Sequence, residues 1–517
     1  MAYGLNWRVK SPFAALKAQS RTVLLFLLLL VGPARSSNAF SLLGPFTPWM
    51  DFIQGYRQPA WWSGTGGDDI GGPMNLGEGY RWNVPVITYG FDRSFLDYFG
   101  SNGVADVERA IQFINDLPPA SVINLGDYLN ATNLHPWLNY PALAANLLDL
   151  KSITLSCLME QMGLANPRRF VFSLSNLDFS FSPAAFTVLS RNYAPYDFES
   201  TEYVNSVLYT YWTPSDIYPG YIQIYPIDPF APPTTSAASF ACSGPGYYFR
   251  GLTFDDVGGL RYLLRSNNVA WENLLSDVAG SGTNRANYVD GALRPGIEKI
   301  TLQRQPADAG SSQFLSLTNA YVDRYVTNGA LRQQTLMRIV TQPDILFTVK
   351  DDGWNLFSRT GTTNWVNHGA PGTAGPGVIR PPIKINFSPL GITALNGGGD
   401  YADPPTIDDS SWGSFDNSTN PPTSYPTSPF TSSNTIFHFW LNLGPFSGRF
   451  VSGRMYGQTF DLQGTWGSVS QFQTSTDLIH WQTILSVTNN GVTVTYPDSV
   501  VSQSPMRYFR LTPPMPP

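Results

Sequence analysis

Residues 155–167 read LSCLMEQMGLANP and set a hydroxyl, a thiol and a carboxylate close together at Ser156, Cys157 and Glu160, with the amide of Asn166 beyond them. A cysteine becomes a nucleophile when a histidine takes its proton, and His135 is the nearest histidine in the chain. Cys157 nevertheless sits mid-helix beside Leu158, where a buried thiol behaves as a small apolar group. Glu160 reads as a solvated face residue, a buried hydrogen-bond partner or the remnant of a cleft, and is the candidate catalytic group of this stretch. Glycoside hydrolysis needs two carboxylates across a cleft, and Asp68-Asp69, Asp255-Asp256, Asp351-Asp352 and Asp408-Asp409 are available. Asp255-Asp256 is explained by helix capping. The other pairs lie in Gly-rich or polar stretches that suit turns or calcium. No GxSxG elbow of a serine hydrolase is found.

The elements that must position these groups follow from periodicity and caps. A strand is expected over 84–91 (VPVITYGF), with Pro85 favouring an edge or a strand start. A helix follows, capped by Ser101 or Asn102, with Val104, Val107, Ile111 and Ile114 at helical spacing. The stretch from Pro141 to Met162 is expected to form one helix with Gly163 just past its end and an apolar stripe of Leu143, Leu147, Leu150, Leu158 and Met162. Strand-like runs come next at 202–212 and 221–227, then a helix at 252–264 opened by the N-cap Thr253.

Residues 291–400 read as strand-rich, with one short helical or strand-like element around 328–342. Residues 401–433 are rich in Pro, Ser and Thr and read as a linker. Residues 434–517 carry six short runs (TIFHFWLN, QTFDLQ, SVSQFQTS, QTILSVT, GVTVTY, MRYFRLT) of the kind a small β-sandwich requires.

The amino terminus has the pattern of a signal peptide, residues 1–39. Arg8, Lys10, Lys17 and Arg21 precede the apolar run Val23–Val31, which is too short to span a bilayer core of about 30 Å. Ser37-Asn38-Ala39 offers a small-x-small cleavage site that leaves Phe40 as the first mature residue. The alternative is an uncleaved anchor. Nothing after residue 40 is apolar for long enough to cross a membrane, and residues 40–80 read as a Gly- and Trp-rich lead-in. The expected location is therefore extracellular or at the cell surface.

Charged residues are only 13%, aromatics are 14% and the net charge is −6, which suits strand-rich exported proteins and argues against a nucleic-acid partner. Two cysteines, Cys157 and Cys242, permit one disulfide. Asn130, Asn386 and Asn417 head glycosylation sequons.

Three pieces, WNVPVITYGFD (82–92) with the helix after it, the GLANP-ended helix, and LTFDDVGGLRYLL (252–264), stand in the order found in metzincin peptidases and most resemble the matrixin branch. The resemblance covers roughly residues 80–266, with a strand-rich insertion near 170–245. It implies an α+β fold and a zinc helix bearing HExxHxxGxxH, whose glycine falls on Gly163. Its zinc-binding histidines fall on Ser156, Glu160 and Asn166, and its general-base glutamate on Cys157. No methionine lies between Met162 and Met337, so the methionine turn of the family is missing before the DDVGG helix. The resemblance thus implies a metzincin-like scaffold from which zinc is not expected. A glycine C-cap followed by a proline stop explains GLANP equally well.

The carboxy-terminal segment, with TSTDLIHWQTI (474–484) and RYFRL (507–511), resembles β-sandwich modules at the ends of secreted proteins from environmental bacteria, while Trp481 and Phe509 also read as core aromatics. The expectation is an α+β protein with a metzincin-like domain at 81–290, a strand-rich region, a linker and a β-sandwich. Such a protein would act without catalysis in extracellular binding, display or assembly. Its partner would be a polymer, an envelope component or a protein. Calcium and self-assembly are both allowed. The rival is an extracellular hydrolase of a glycan, ester or peptide.

Overall fold

The structure is a computed structural model that describes residues 39–44, 73–129, 136–168, 185–213, 244–308, 313–350 and 376–389 without a break, and shorter pieces between 170 and 512. Strands far outnumber helices among them, compatible with an α+β or strand-rich class. No helix among the described residues is long and apolar enough to cross a membrane.

The central sheet explains most of the core. Val86–Phe91 pairs in parallel with Thr301–Arg304 on one side and with Ile345–Val349 on the other. Ile383–Phe387 continues the parallel order and Phe357–Thr360 closes it antiparallel. Strands buried on both faces read as continuous apolar runs, which is what VITYGF, ILFTV and IKINF are. Pro85 precedes the first strand, so its missing N–H costs no ladder bond even though the strand is internal. The sheet draws on both sides of the expected boundary at 290/291.

Helix α1 (Arg93–Asn115) packs on this sheet. Asp92 caps it, accepting from the Phe95 N–H, and Gly100 at φ 61° kinks it. The part beyond the kink is the helix expected at 101–115, and Val104, Val107, Ile111 and Ile114 are buried. An aromatic chain joins helix and sheet: the Phe91 and Phe95 rings lie 4.9 Å apart, Phe95 and Phe99 4.8 Å, and Phe91 and Phe347 5.4 Å.

The single helix expected over 141–162 is two helices with a strand between them. Helix α2 (Tyr140–Ala144) ends at Asn146, whose φ of 53° turns the chain. Leu147–Asp149 is extended, and helix α3 (Leu150–Gln161) then starts on its own N-cap, Asp149, which accepts from the Ser152 N–H at 3.0 Å. Leu143 consequently leaves the stripe and is 42% exposed. Helix α4 (Phe254–Leu264) is as expected, with Thr253 and Asp256 forming a capping box.

The segment expected as a linker is in part structural. Ser411–Ser414 pairs in parallel with Leu147–Asp149, and Trp412 is fully buried. Its indole N–H donates to the Ser388 carbonyl at 2.7 Å, and its ring meets Phe387 edge-on at 5.3 Å. Two aromatic anchors, Trp412 and Tyr425, outweigh a composition that otherwise favours a flexible chain.

The element near 328–342 is half of a hairpin, Leu317–Thr327 against Ala330–Val340. Asn328 (φ 49°) and Gly329 (φ 70°) make its two-residue turn. Val269–Glu272, Ala292–Pro295 and Val278–Gly280 extend it to an antiparallel sheet of five strands. The expected strand-like runs at 202–212 and 221–227 form the antiparallel strands Tyr203–Val204, Val207–Trp212 and Gln223–Pro226.

Beyond residue 434, His438–Leu441, Val451–Tyr456, Thr459–Leu462 and Val494–Pro497 form one antiparallel sheet. Gln482–Thr488, Val469–Ser475 and Tyr508–Thr512 form a second.

Removing the indole that fixes the 411–426 segment should be costly. Trp412→Ala is expected to lower stability by about 3–5 kcal/mol, measured by urea unfolding. A loss below about 1 kcal/mol would show that the segment is not integral to the core.

Candidate functional site

Helix α3 is enclosed on every side, and all twelve of its residues are buried. Ser156 is 5% exposed, Cys157 0% and Glu160 2%, and Asn166 beyond the helix is half-buried. Three of the four positions that the resemblance assigns to metal and base thus lie among packed side chains. A zinc site needs three nitrogen, sulfur or carboxylate ligands and an open place for water. A hydroxyl, an acid and an amide in the ligand positions, enclosed in this way, do not fit the ion. Cys157 is buried, and Cys242 lies outside the described residues, as do His135, His368, Asp68-Asp69 and Asp351-Asp352.

Gly163 has a packing reason of its own. It sits at φ 98°, and a Cβ there would come within 2.0 Å of the Tyr80 carbonyl oxygen. It stops α3, its N–H donating to the Glu160 carbonyl, and the Leu43 N–H donates to its own carbonyl at 2.9 Å. Leu164 and Ala165 then pair with Leu42 and Ser41. GLANP is therefore a helix stop that delivers the chain to a strand beside the lead-in.

The DDVGG element is explained in the same way. Asp255 is buried and accepts from the Ala39 N–H at 3.0 Å and the Asn205 N–H at 2.9 Å. Burial raises its pKa well above the usual carboxylate range. Asp256 accepts from the Thr253 N–H and hydroxyl and from the Ala237 N–H. Gly259 leaves room for Leu164, whose Cδ2 would lie 2.5 Å from an added Cβ.

The polar constellation with the most chemical potential is one the sequence does not announce. Asp106 on α1 is buried; it accepts from the Tyr425 hydroxyl at 2.7 Å and the Ser414 hydroxyl at 2.7 Å, and pairs with Arg109. Asp149, also buried, accepts from the Ser152 hydroxyl at 2.5 Å and lies 3.8 Å from the Lys151 ammonium. Its Oδ1 has no hydrogen-bond partner among the described residues. Burial pushes the Asp149 carboxyl up, Lys151 opposes that, and the charge of Asp106 adds to it. Burial, with Asp106 beside it, also pushes the Tyr425 phenol up.

Burial, with the charge of Asp106 adding to it, favours the protonated form of Asp149. Arg109, with its side chain 57% exposed, reaches from Asp106 to solvent. The arrangement is a polar clamp on the 411–425 segment. Residues 106, 149, 414 and 425 share no local spacing, so only the fold brings them together. The cap signal at Asp149, three residues before Ser152, is the one sign a sequence offers.

Asn386, one of the sequons, is 5% exposed, and its amide bonds Thr348 and Lys350 inside the central sheet. A glycan is excluded there in the folded chain.

Neither protein-family models, nor curated proteins, nor solved structures match the chain.

Asp149 sets a pH dependence whose sign is fixed by its raised pKa. The folded state keeps a proton that the unfolded state releases near pH 4, so the stability it lends is complete below that pH and is lost as pH rises through the raised value. Asp149→Asn keeps an N-cap side chain and should flatten this part of the thermal-midpoint profile above about pH 4. An unchanged profile would refute the assignment. Tyr425→Phe removes a donor from Asp106 and should cost about 1–3 kcal/mol, read by denaturant unfolding.

Proposed function

We propose that this is a secreted, non-catalytic protein, a peptidase-like scaffold without its metal, acting outside the cell in binding, surface display or assembly. In this reading residues 81–290 are a metzincin-like region with a strand-rich insertion, residues 291–400 a strand-rich region, and residues 434–517 a β-sandwich module. The observation that carries it is the closure of α3, where Ser156, Cys157 and Glu160 are at most 5% exposed. A hydrolase needs its nucleophile, acid or metal within reach of substrate, and this helix offers none of them to solvent. Secretion rests on the basic, apolar and small-residue sequence of residues 8–39.

A binding role is supported by the insertion. Trp212 lies opposite Gln223, and Thr210 opposite Tyr225, on one face of a hairpin. Trp212 is 56% exposed, Tyr225 38% and Ile227 55%. Aromatic surface beside polar groups suits an extracellular polymer or a protein.

The test is direct. The purified full chain is expected to contain no stoichiometric zinc by elemental analysis and to turn over no peptide, ester or glycan substrate from a mixed panel. Hydrolysis that disappears in Glu160→Gln while the circular dichroism spectrum is unchanged would replace this reading with the extracellular hydrolase.

A further inference from the structure

The five-stranded antiparallel sheet carries its charges on the wrong side for an exposed face. Alternation places Glu272, Arg294, Asp323 and Arg338 on its inner face, each at most 6% exposed. The outer face mixes aliphatic side chains with a few polar ones, Thr318, Arg324, Gln333 and Thr335. Trp271 is opposite Leu293, Leu293 opposite Val326, and Val326 opposite Leu331, so one apolar row crosses four strands. Trp271 is 50% exposed, Leu293 41% and Leu331 62%. Val322 at 57% and Ile339 at 40% extend the same face toward the other end of the hairpin. Arg324 is the one charged side chain among the described strand residues of this face.

We infer that this face is the interface through which two copies of the chain pack sheet against sheet. An isologous interface must accept its own image. A face with one charged residue meets its copy with little like-charge repulsion, whereas a charged face would not. Its exposed apolar side chains are Val269, Leu293, Val322, Leu331 and Ile339 with a single Trp, set among Thr318, Arg324, Gln333 and Thr335, which favours protein packing over the aromatic stacking that a sugar needs. Two strands of eleven residues and three short ones, at about 4.8 Å spacing and about 3.4 Å per residue, offer on the order of 500–600 Å² per copy. Two such faces reach the roughly 1,000 Å² expected of a specific interface.

The nearest rival occupant is the carboxy-terminal segment of the same chain. Its described strands pair with one another, and His438–Leu441 neighbours Ile407–Asp409 instead of this sheet. The inference deepens the assembly part of the proposed function and rests on it only for its biological setting.

Sedimentation equilibrium on the full chain tests it. The wild type is expected to show a concentration-dependent monomer–dimer equilibrium. V322K with L331K places two ammonium groups in the interface and should weaken association about a hundredfold or more. Because both side chains point to solvent in the monomer, the thermal midpoint of a dilute sample should stay within a few degrees of wild type. A wild type that stays monomeric well above micromolar concentration overturns the inference, as does a dimer that survives the double substitution. Neither result bears on whether the chain hydrolyses anything, so failure of this interface and failure of the non-catalytic reading are separable.

Discussion

Three arginines out of water fasten the antiparallel sheet, and one of them, Arg338, ties it to the central sheet. Arg81, Arg294 and Arg338 are each at most 3% exposed. Burying a guanidinium costs several kcal/mol unless its donors are met. Arg81 pairs with Glu272 at 2.7 Å and donates to the carbonyls of Leu263, Asn268 and Arg294. Arg294 grips Asp323 with both ends of its fork, at 2.9 and 3.1 Å, and reaches the carbonyls of Glu272, Asp290 and Val289. Arg338 spans Asp277 and Asp344, and Asp344 in turn accepts from the Thr88 N–H in the central sheet. The antiparallel sheet is therefore fastened by its polar face, which leaves its apolar face outward.

That inversion also explains where sequence reading stops. Alternation in LTNAYVDRYVT fixes which residues share a face, but with Asp323 in one set and Arg324 in the other it does not say which set turns inward. The partners of Asp323, Arg294 and Gln334, make the choice. Local signals fared better. The Thr253 cap with Asp256, the stripe at Val104, Val107, Ile111 and Ile114, and six of the carboxy-terminal strands are all present. The Asn328-Gly329 pair is a plain hairpin mark. The long apolar stripe from 141 to 162 misled because leucines at 147 and 148 serve a strand as readily as a helix, and Asn146 and Asp149 decide between them. The burial of Trp412 was illegible, since its partners, Phe387 and Ser388, sit in a sheet strand and at its end.

The motif that suggested a peptidase is accounted for by packing. Gly163 turns under the Tyr80 carbonyl, Gly259 admits Leu164, and Asp255 ties down Asn205. Each would be required in a chain that had never met a metal. What a sequence could not supply is the closed surroundings of Glu160 and the meeting of Asp106 with Asp149 across α1, α3 and the late segment.

The order of the central sheet has a consequence for how the chain is made. Val86–Phe91 lies between strands that begin at Thr301 and Ile345, so when it emerges from the ribosome both of its neighbours are still unsynthesised. Such non-local pairing makes folding slow. The central sheet of this chain cannot close until residues 301–349 have been made, so its first strand waits for both flanking partners while about two hundred further residues are added.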